Sequence, residues 1–423
     1  TNKLAFEIAL GLFVLGSTLE GIAPSIYFFL VARMIMGIGG GGMGSLPYII
    51  AGYVFPNIKK RTQILGYLTA SFNGAAILGP LVGGWLIDTL SWHWVFYINI
   101  PIGLIALLIS LIYYKPVTPK SAPVFDLGGA FLLVTGLIMF LMGIQLLGLT
   151  ATWIVVGLIL LSIVLLIFFF FHEAKTENPI IPLSIFRNHD LNGDFILFAT
   201  TWGAFIAVNT YLPMWAQALL GMSALMGGMT LIPNSIVEII ASQTVATIQE
   251  KIRTFTLVMI GIVTMMISSG GLFLANNQTP LWMLIVVGAF SGIGVGFIFV
   301  GLQVKVQIDA GMKDMATATS TSYLIRILAQ TVMAAVYGVI MNLALASGIN
   351  SHSNITMKMM NELSDAKSAK LLPQYLLPEM RRIFHSGIHE IMAVSFILLI
   401  IATVFNFYFN FRQPNKKLNR SSK

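Results

Sequence analysis

The chain has 423 residues and no cysteine. Disulfides, thiolate-ligated zinc, iron–sulfur clusters and a thiol nucleophile are therefore excluded. Charge is also scarce. Asp, Glu, Lys and Arg make up 9% of the residues, against about 25% in an ordinary soluble domain. Apolar residues make up 57%. A soluble enzyme or a nucleic-acid-binding domain cannot face water with so little charge. The 24 basic residues outnumber the 16 acidic ones, but they are scattered through short segments and form no patch for nucleic acid. The sequence holds no Walker A loop, no His-Glu-x-x-His and no Ser-His-Asp set of recognisable spacing. A membrane enzyme thus lacks its chemistry, and no cofactor or metal is implied.

What is present is a series of long apolar runs. About 20 apolar residues span the hydrocarbon of a bilayer. Twelve runs have that character: 4–22, 28–50, 63–86, 94–113, 127–147, 153–172, 194–220, 224–248, 255–275, 281–305, 316–346 and 388–411. The chain reads as an all-α polytopic membrane protein. Pro47, Pro80, Pro101, Pro213 and Pro233 fall inside runs, which membrane helices tolerate when neighbours re-satisfy the backbone.

Lys and Arg set an orientation. With the first residue inside the cell, the inner segments hold Lys3, Lys59, Lys60, Arg61, Lys115, Lys120, Lys175, Arg187, Lys251, Arg253, Lys305, Lys313 and the basic tail from Arg412. The short outer loops hold none, so both termini are predicted to be cytoplasmic. Segment 347–387 is a long outer loop, expected to form a hairpin with helical pieces near 358–370 and 374–384. Segment 173–193 is an inner connection whose Ile-Ile-Pro-Leu-Ser-Ile-Phe stretch is expected to lie along the membrane surface.

Ionisable groups at membrane depth are costly and mark function by default. Glu238, near the middle of its run, is the sharpest case. Burial disfavours the charged form of a carboxyl, which lets it exchange a proton near neutral pH. It also attracts a lipophilic cation. Structural pairing with an Arg or Lys is the alternative. Arg326 stays charged and needs a partner: Glu238, helix carbonyls or a carboxylate elsewhere. Arg33 has Glu20 as its acidic neighbour in depth, and snorkelling to the interface is the plainer role for Glu20. Asp194 and Asp126 open runs, where capping a helix N-terminus competes with proton coupling. Lys305 and Asp309 are spaced for an i,i+4 pair. His385, His389 and Glu390 share a helix face but lack a further ligand for metal. Trp202, Asn209, Tyr211, Trp215, Gln217 and Asn234 are candidate cavity-lining residues, because aromatic faces hold organic cations. For Trp215 a place in the interfacial aromatic belt is equally open.

Three strings carry a family resemblance. Gly74-Ala-Ala-Ile-Leu-Gly79-Pro80-Leu-Val-Gly83-Gly84 closely resembles the antiporter motif of the major facilitator superfamily. Arg33-Met-Ile-Met-Gly37-Ile-Gly39 resembles its Arg-x-x-x-Gly-x-Gly motif. Trp92-His93-Trp94-Val-Phe96-Tyr-Ile-Asn99-Ile-Pro101-Ile-Gly103 resembles a signature of the 14-span drug:proton antiporters, with His93 where Arg is usual. Residues 179–191 also resemble that family's stretch before its second half. The chain is similar throughout to a QacA/EmrB-type multidrug exporter.

The resemblance implies the superfamily's helical fold, with 12 visible spans of an expected 14. The antiporter motif lies on the fifth span of that family and on the third run here, so the first two spans are expected to lie outside this chain. The organisation implied is 1–113 as the remainder of the N-terminal half and 114–193 as two extra spans with their inner loop. Residues 194–411 would be the C-terminal half and 412–423 a basic cytoplasmic tail. Residues Gln249-Glu250-Lys251-Ile252-Arg253 resemble a degenerate second copy of the family's loop motif. The resemblance further implies a monomer in the cell membrane that exports small lipophilic or cationic drugs in exchange for protons. Arg33 would tune a carboxylate on the proton path, and the glycine face at 74–84 would let helices slide and seal. A narrow-substrate exporter, for tetracycline, a lipid precursor or a metabolite, is the alternative.

Overall fold

A computed structural model of the chain describes residues 2–114, 126–147, 150–177, 179–350, 354–363 and 368–411. Every regular element among the described residues is helical. In order they are α1 (Asn2–Gly21), α2 (Ile26–Val54), α3 (Ile58–Thr89), α4 (Trp94–Tyr97), α5 (Asn99–Tyr113), α6 (Leu127–Gln145) and α7 (Thr152–Glu173). After a 3-10 turn at Leu183–Arg187 come α8 (His189–Ala218), α9 (Ala224–Met229), α10 (Ile232–Ile248), α11 (Thr254–Leu274) and α12 (Leu281–Asn350). The chain closes with α13 (Met357–Leu363), a second 3-10 turn at Ser368–Leu371, and α14 (Leu377–Asn410).

Ten helical segments among the described residues are long and apolar enough to cross a membrane. The count differs from the twelve runs for two reasons. The segment of α3 is not among the ten, and the expected runs 281–305 and 316–346 join in α12. At 1.5 Å per residue a helix of 70 residues would reach about 105 Å, over three times the hydrocarbon thickness. It does not run straight. Gly311 breaks it at φ 66, ψ 175, a conformation open essentially to glycine alone. The chain doubles back there. Ser322 Oγ donates to Gln303 Oε1 at 3.5 Å across the two arms.

The described residues cluster into two compact units. The first comprises Thr1–Pro56 and Gly74–Val124, the second Asn57–Asn73 and Phe125–Lys423. In the first unit α1 packs on α2 and α5. The Trp92–Gly103 signature supplies this joint. Asn99 Nδ2 donates to Ser17 Oγ at 3.0 Å, Ser17 Oγ donates to the Phe96 carbonyl at 2.9 Å, and Tyr97 Oη donates to the Gly21 carbonyl at 2.8 Å. Gly103 faces the Val14 side chain so closely that a Cβ there would collide with it. Trp92, Phe96 and Phe29 form an edge-to-face cluster.

In the second unit α8 packs against α12 and α14, while α10 and α11 pack against α12. The first arm of α12 carries glycines on two faces. Gly294 meets Gly261 of α11, and Gly288, Gly292 and Gly296 turn toward α8 and α10. Small residues at such seams let backbones touch, which is how packing holds membrane helices together. The hairpin of α6 and α7 follows the same rule, with Ser162 Oγ donating to the Gly136 carbonyl at 2.8 Å.

The long loop expected to form an outer hairpin is packed rather than loose. Ile355, Met360, Leu363, Leu372, Met380, Ile383 and Phe384 join one buried cluster with Tyr211, Leu212, Trp215 and Tyr337. Its second helical piece is the first turns of α14, which begins at Leu377. In the 173–193 connection the apolar stretch folds as the 3-10 turn Leu183–Arg187, with Ile185 buried.

Candidate functional site

Glu238 sits on α10 and is 7% exposed. Its helix lies almost in contact with the first arm of α12. A Cβ added at Gly296 would meet the Glu238 carbonyl oxygen at 2.7 Å and the Ser242 nitrogen at 3.0 Å. At Gly292 it would collide with the Asn234 carbonyl. Asn234 Nδ2 donates to the Gly288 carbonyl at 3.0 Å, so this residue ties helices together rather than facing open space. The first half of α3 also meets α10. The amide of Asn73 lies beside Glu238, Gly66 faces the Ser242 carbonyl, and Lys59 pairs with Glu250 at 2.8 Å. The Glu238 carboxyl is thus buried beside one amide, on a helix whose backbone is pressed against α12 and meets α3.

A second charged group links α8 to α12. Lys305 Nζ donates to Asp194 Oδ1 at 2.8 Å and to Asp309 Oδ2 at 2.7 Å. Asp194 is fully buried and its Oδ2 has no hydrogen-bond partner among the described residues. The capping role weighed for Asp194 belongs to Asn188, whose side chain accepts from the Asp190 and Leu191 nitrogens. The helix starts earlier than the apolar run, which places Asp194 in its second turn. The i,i+4 reading of Lys305 and Asp309 describes half of this group. Asp126 does cap. Its side chain accepts from the Gly129 nitrogen at 2.9 Å and meets His172 Nε2 at 2.9 Å. The Gly129 amide first, then the His172 imidazole, hold the Asp126 carboxyl below the usual carboxylate range. That contribution to stability is present at neutral pH and is lost as pH falls through the lowered value.

The charged group on Lys305 makes a direct prediction. Lys305→Met leaves two carboxylates facing each other out of water. Breaking a buried pair from one side costs about 3–5 kcal/mol. The variant is expected to unfold at a lower temperature than wild type in detergent. Adding Asp194→Asn and Asp309→Asn to it is expected to restore most of the loss. A single variant as stable as wild type would refute the pairing.

Arg326 is 4% exposed. Its partners include the Ser322 carbonyl, accepting from Nε at 3.4 Å, and the faces of Phe198, Trp202, Phe299 and Tyr323. In the first unit Arg33 Nη1 and Glu20 Oε2 are 3.4 Å apart, with Glu20 fully buried and the Arg33 side chain 60% exposed.

The expected lining residues scatter. Tyr211 is buried edge-to-face with Tyr337. Trp215 is buried against the His385 ring at 5.1 Å, so it is core and not an interfacial belt residue. Asn209 and Gln217 are half-buried, and Gln217 packs beside Gly227. His385 Nε2 lies 2.9 Å from the Ala275 carbonyl, and His389 stacks on Phe273. In the antiporter string, no described atom outside the local helix backbone lies within 4 Å of a Cβ placed at Gly74, Gly79 or Gly83. The side-chain surroundings of Pro80 and Gly84 fall outside what the structure describes.

Sequence reasoning missed three things: the third member of the Lys305 group, the rings around Arg326, and Asn73 beside Glu238. Asp194 and Lys305 open and close runs on the same predicted side of the membrane, which was a usable signal. Trp202 stood out as a lining aromatic, but nothing in the sequence joins it to Phe198, Phe299 and Tyr323 among 29 Phe, 12 Tyr and 7 Trp.

Helices of membrane-spanning length, tied by glycine seams and holding a few enclosed charges, define a multi-pass membrane protein. The chain belongs to the Major Facilitator Superfamily, whose sequence pattern matches residues 3–335. Members of that family are transporters rather than enzymes. The chain is 30% identical over 421 residues to Multidrug resistance protein 3 of Bacillus subtilis (strain 168), covering 95% of this chain and 81% of the relative. It is 28% identical over 349 residues to Multidrug transporter protein MdtP of the same organism, covering 81% of this chain and 63% of that protein. Among solved structures, the human organic anion transporter MFSD10 (TETRAN) shares the fold. Its TM-score is 0.60 at 14% identity, covering 94% of this chain and 77% of that one.

Proposed function

We propose that the chain is a proton-coupled antiporter that exports lipophilic, cationic drugs across the cell membrane by alternating access. The observation that carries this reading is Glu238, a buried carboxyl beside Asn73 on a helix whose backbone packs against the glycine face of α12. In such a place a negative charge needs either a proton or a cation. Binding of one excludes the other, so inward proton flow drives outward drug flow. The relatives named as multidrug proteins support drugs as the cargo.

In this reading the halves 1–113 and 194–411 alternate access to a site near the midplane. The protein works as a monomer with both termini cytoplasmic. Asp194, Arg33, Glu20 and Arg326 serve proton coupling or cation binding, and Gly74, Gly79, Pro80, Gly83 and Gly84 form a sliding seal. Trp202, Asn209, Tyr211, Trp215, Gln217 and Asn234 line or support the path.

The test is ethidium uptake into inside-out vesicles under an imposed pH gradient. Uptake is expected to follow the gradient and to collapse when an ionophore removes it. Uptake indifferent to the gradient would overturn proton coupling. Competition by chemically unrelated cations separates a polyspecific exporter from a narrow-substrate one, which would ignore most of the panel.

A further inference from the structure

The last two turns of α14 carry Val404, Phe407, Tyr408 and Phe411 at the spacing of a single helix stripe. All four are exposed. They line a groove of about 500 Å³, within the roughly 300–1,000 Å³ of small-molecule sites. The groove stands on a fixed joint. Phe255, in the first turn of α11, meets Phe407 and Phe411 edge-on at 5.2 and 5.4 Å. Its carbonyl accepts from Asn406 Nδ2 at 3.2 Å. His189 meets the Tyr408 ring at 5.7 Å.

Charge at this joint is basic. Arg253 is the N-cap residue of α11, and its side chain makes no cap hydrogen bond. Arg253 and Lys251 are both exposed, and neither forms an ion pair with a described residue. Glu250, the adjacent acid, is taken by Lys59 at 2.8 Å. Asp190, which follows His189, is half-buried with partners of its own. Beyond the described end of α14 the sequence runs through Arg412, Lys416, Lys417, Arg420 and Lys423, with no acid among residues 412–423.

An apolar groove at the end of a span, bordered by cations, matches an amphiphile with an apolar chain and an anionic head. A soluble anion would use the cations and leave the groove unfilled. A zwitterionic lipid would fill the groove and gain little from the cations. Basic residues beside a span attract anionic headgroups, and a tyrosine such as Tyr408 suits headgroup depth. We propose that the groove on α14 holds an acyl chain of an anionic phospholipid, with Lys251 and Arg253 at its phosphate. The proposal stands apart from cargo and proton coupling.

The experiment takes the full chain from vesicles of equal parts phosphatidylglycerol and phosphatidylcholine into mild detergent. The lipid retained per protein is then counted by mass spectrometry. Wild type is expected to keep phosphatidylglycerol over phosphatidylcholine by about fivefold or more. Lys251→Gln with Arg253→Gln is expected to bring the ratio close to one. Any basic protein enriches an anionic lipid to some degree, so two further variants decide. Lys175→Gln with Lys313→Gln removes the same charge from exposed positions elsewhere and is expected to leave the ratio unchanged. Val404→Trp fills the groove while keeping every charge, and is expected to lose the retained phosphatidylglycerol. All five positions are exposed, where substitutions seldom unfold a protein. Wild type without a preference, equal losses in the two charge variants, or full retention by Val404→Trp would each overturn the site. So would a gain in retention on removing residues 412–423, which would make the tail itself the occupant.

Discussion

Glu238→Gln is expected to reduce gradient-driven ethidium uptake to the level of vesicles lacking the protein, with the folded protein still in the membrane. The substitution is almost isosteric. Glutamine keeps the backbone contacts with Gly292 and Gly296 and can still face the amide of Asn73. It removes a group that is costly when ionised out of water, so stability should hold or rise. What it cannot do is bind and release a proton, or neutralise a cation. A purely structural Glu238 predicts the opposite pattern, with uptake kept and thermal stability changed. Uptake in inside-out vesicles, normalised to protein level, separates the two.

The second large effect concerns folding. Gly292→Leu is expected to yield little or no monodisperse protein. A Cβ at this position collides with the Asn234 carbonyl and comes within 3.1 Å of the Glu238 nitrogen. Both are backbone atoms of α10 and cannot swing aside. Overfilling a packed seam typically costs about 1–3 kcal/mol, and here the whole helix would have to retreat. The Asn234 to Gly288 hydrogen bond at 3.0 Å would be lost with it. Gly74→Ala and Gly79→Ala are expected to leave folding unchanged, because no described atom lies within 4 Å of the added carbon. Size-exclusion profiles and melting temperatures of the three variants check this. A stable Gly292→Leu beside an unstable Gly79→Ala would invert the account.

The contrast shows what the sequence makes legible. Long apolar runs announce spans because the bilayer demands their length, and the break between 305 and 316 was visible in the polar residues there. That the break is a turn at Gly311, with helix on both sides, was not visible, because one positive φ leaves no mark on composition. Glu238 and Arg326 stood out as charges at membrane depth. Their surroundings did not. Asn73, Gly292 and Gly296 are far from Glu238 in the chain, and the rings around Arg326 are three short pieces of three apolar segments. The glycines of the antiporter string and those of α12 read alike as small residues in a helix. The structure separates them by what lies opposite: no described atom within 4 Å for Gly74, Gly79 and Gly83, and a backbone for Gly292 and Gly296. Asp194 was misplaced as a possible cap because the helix begins at His189, ahead of the apolar run.

The central claim is that a proton and a drug cation exclude each other at Glu238. Its most direct measurement is the count of protons released when tetraphenylphosphonium binds the purified protein in weakly buffered solution near neutral pH. The account predicts release on binding by wild type, and binding without release, or no binding, by Glu238→Gln. Equal proton release by both proteins would contradict it.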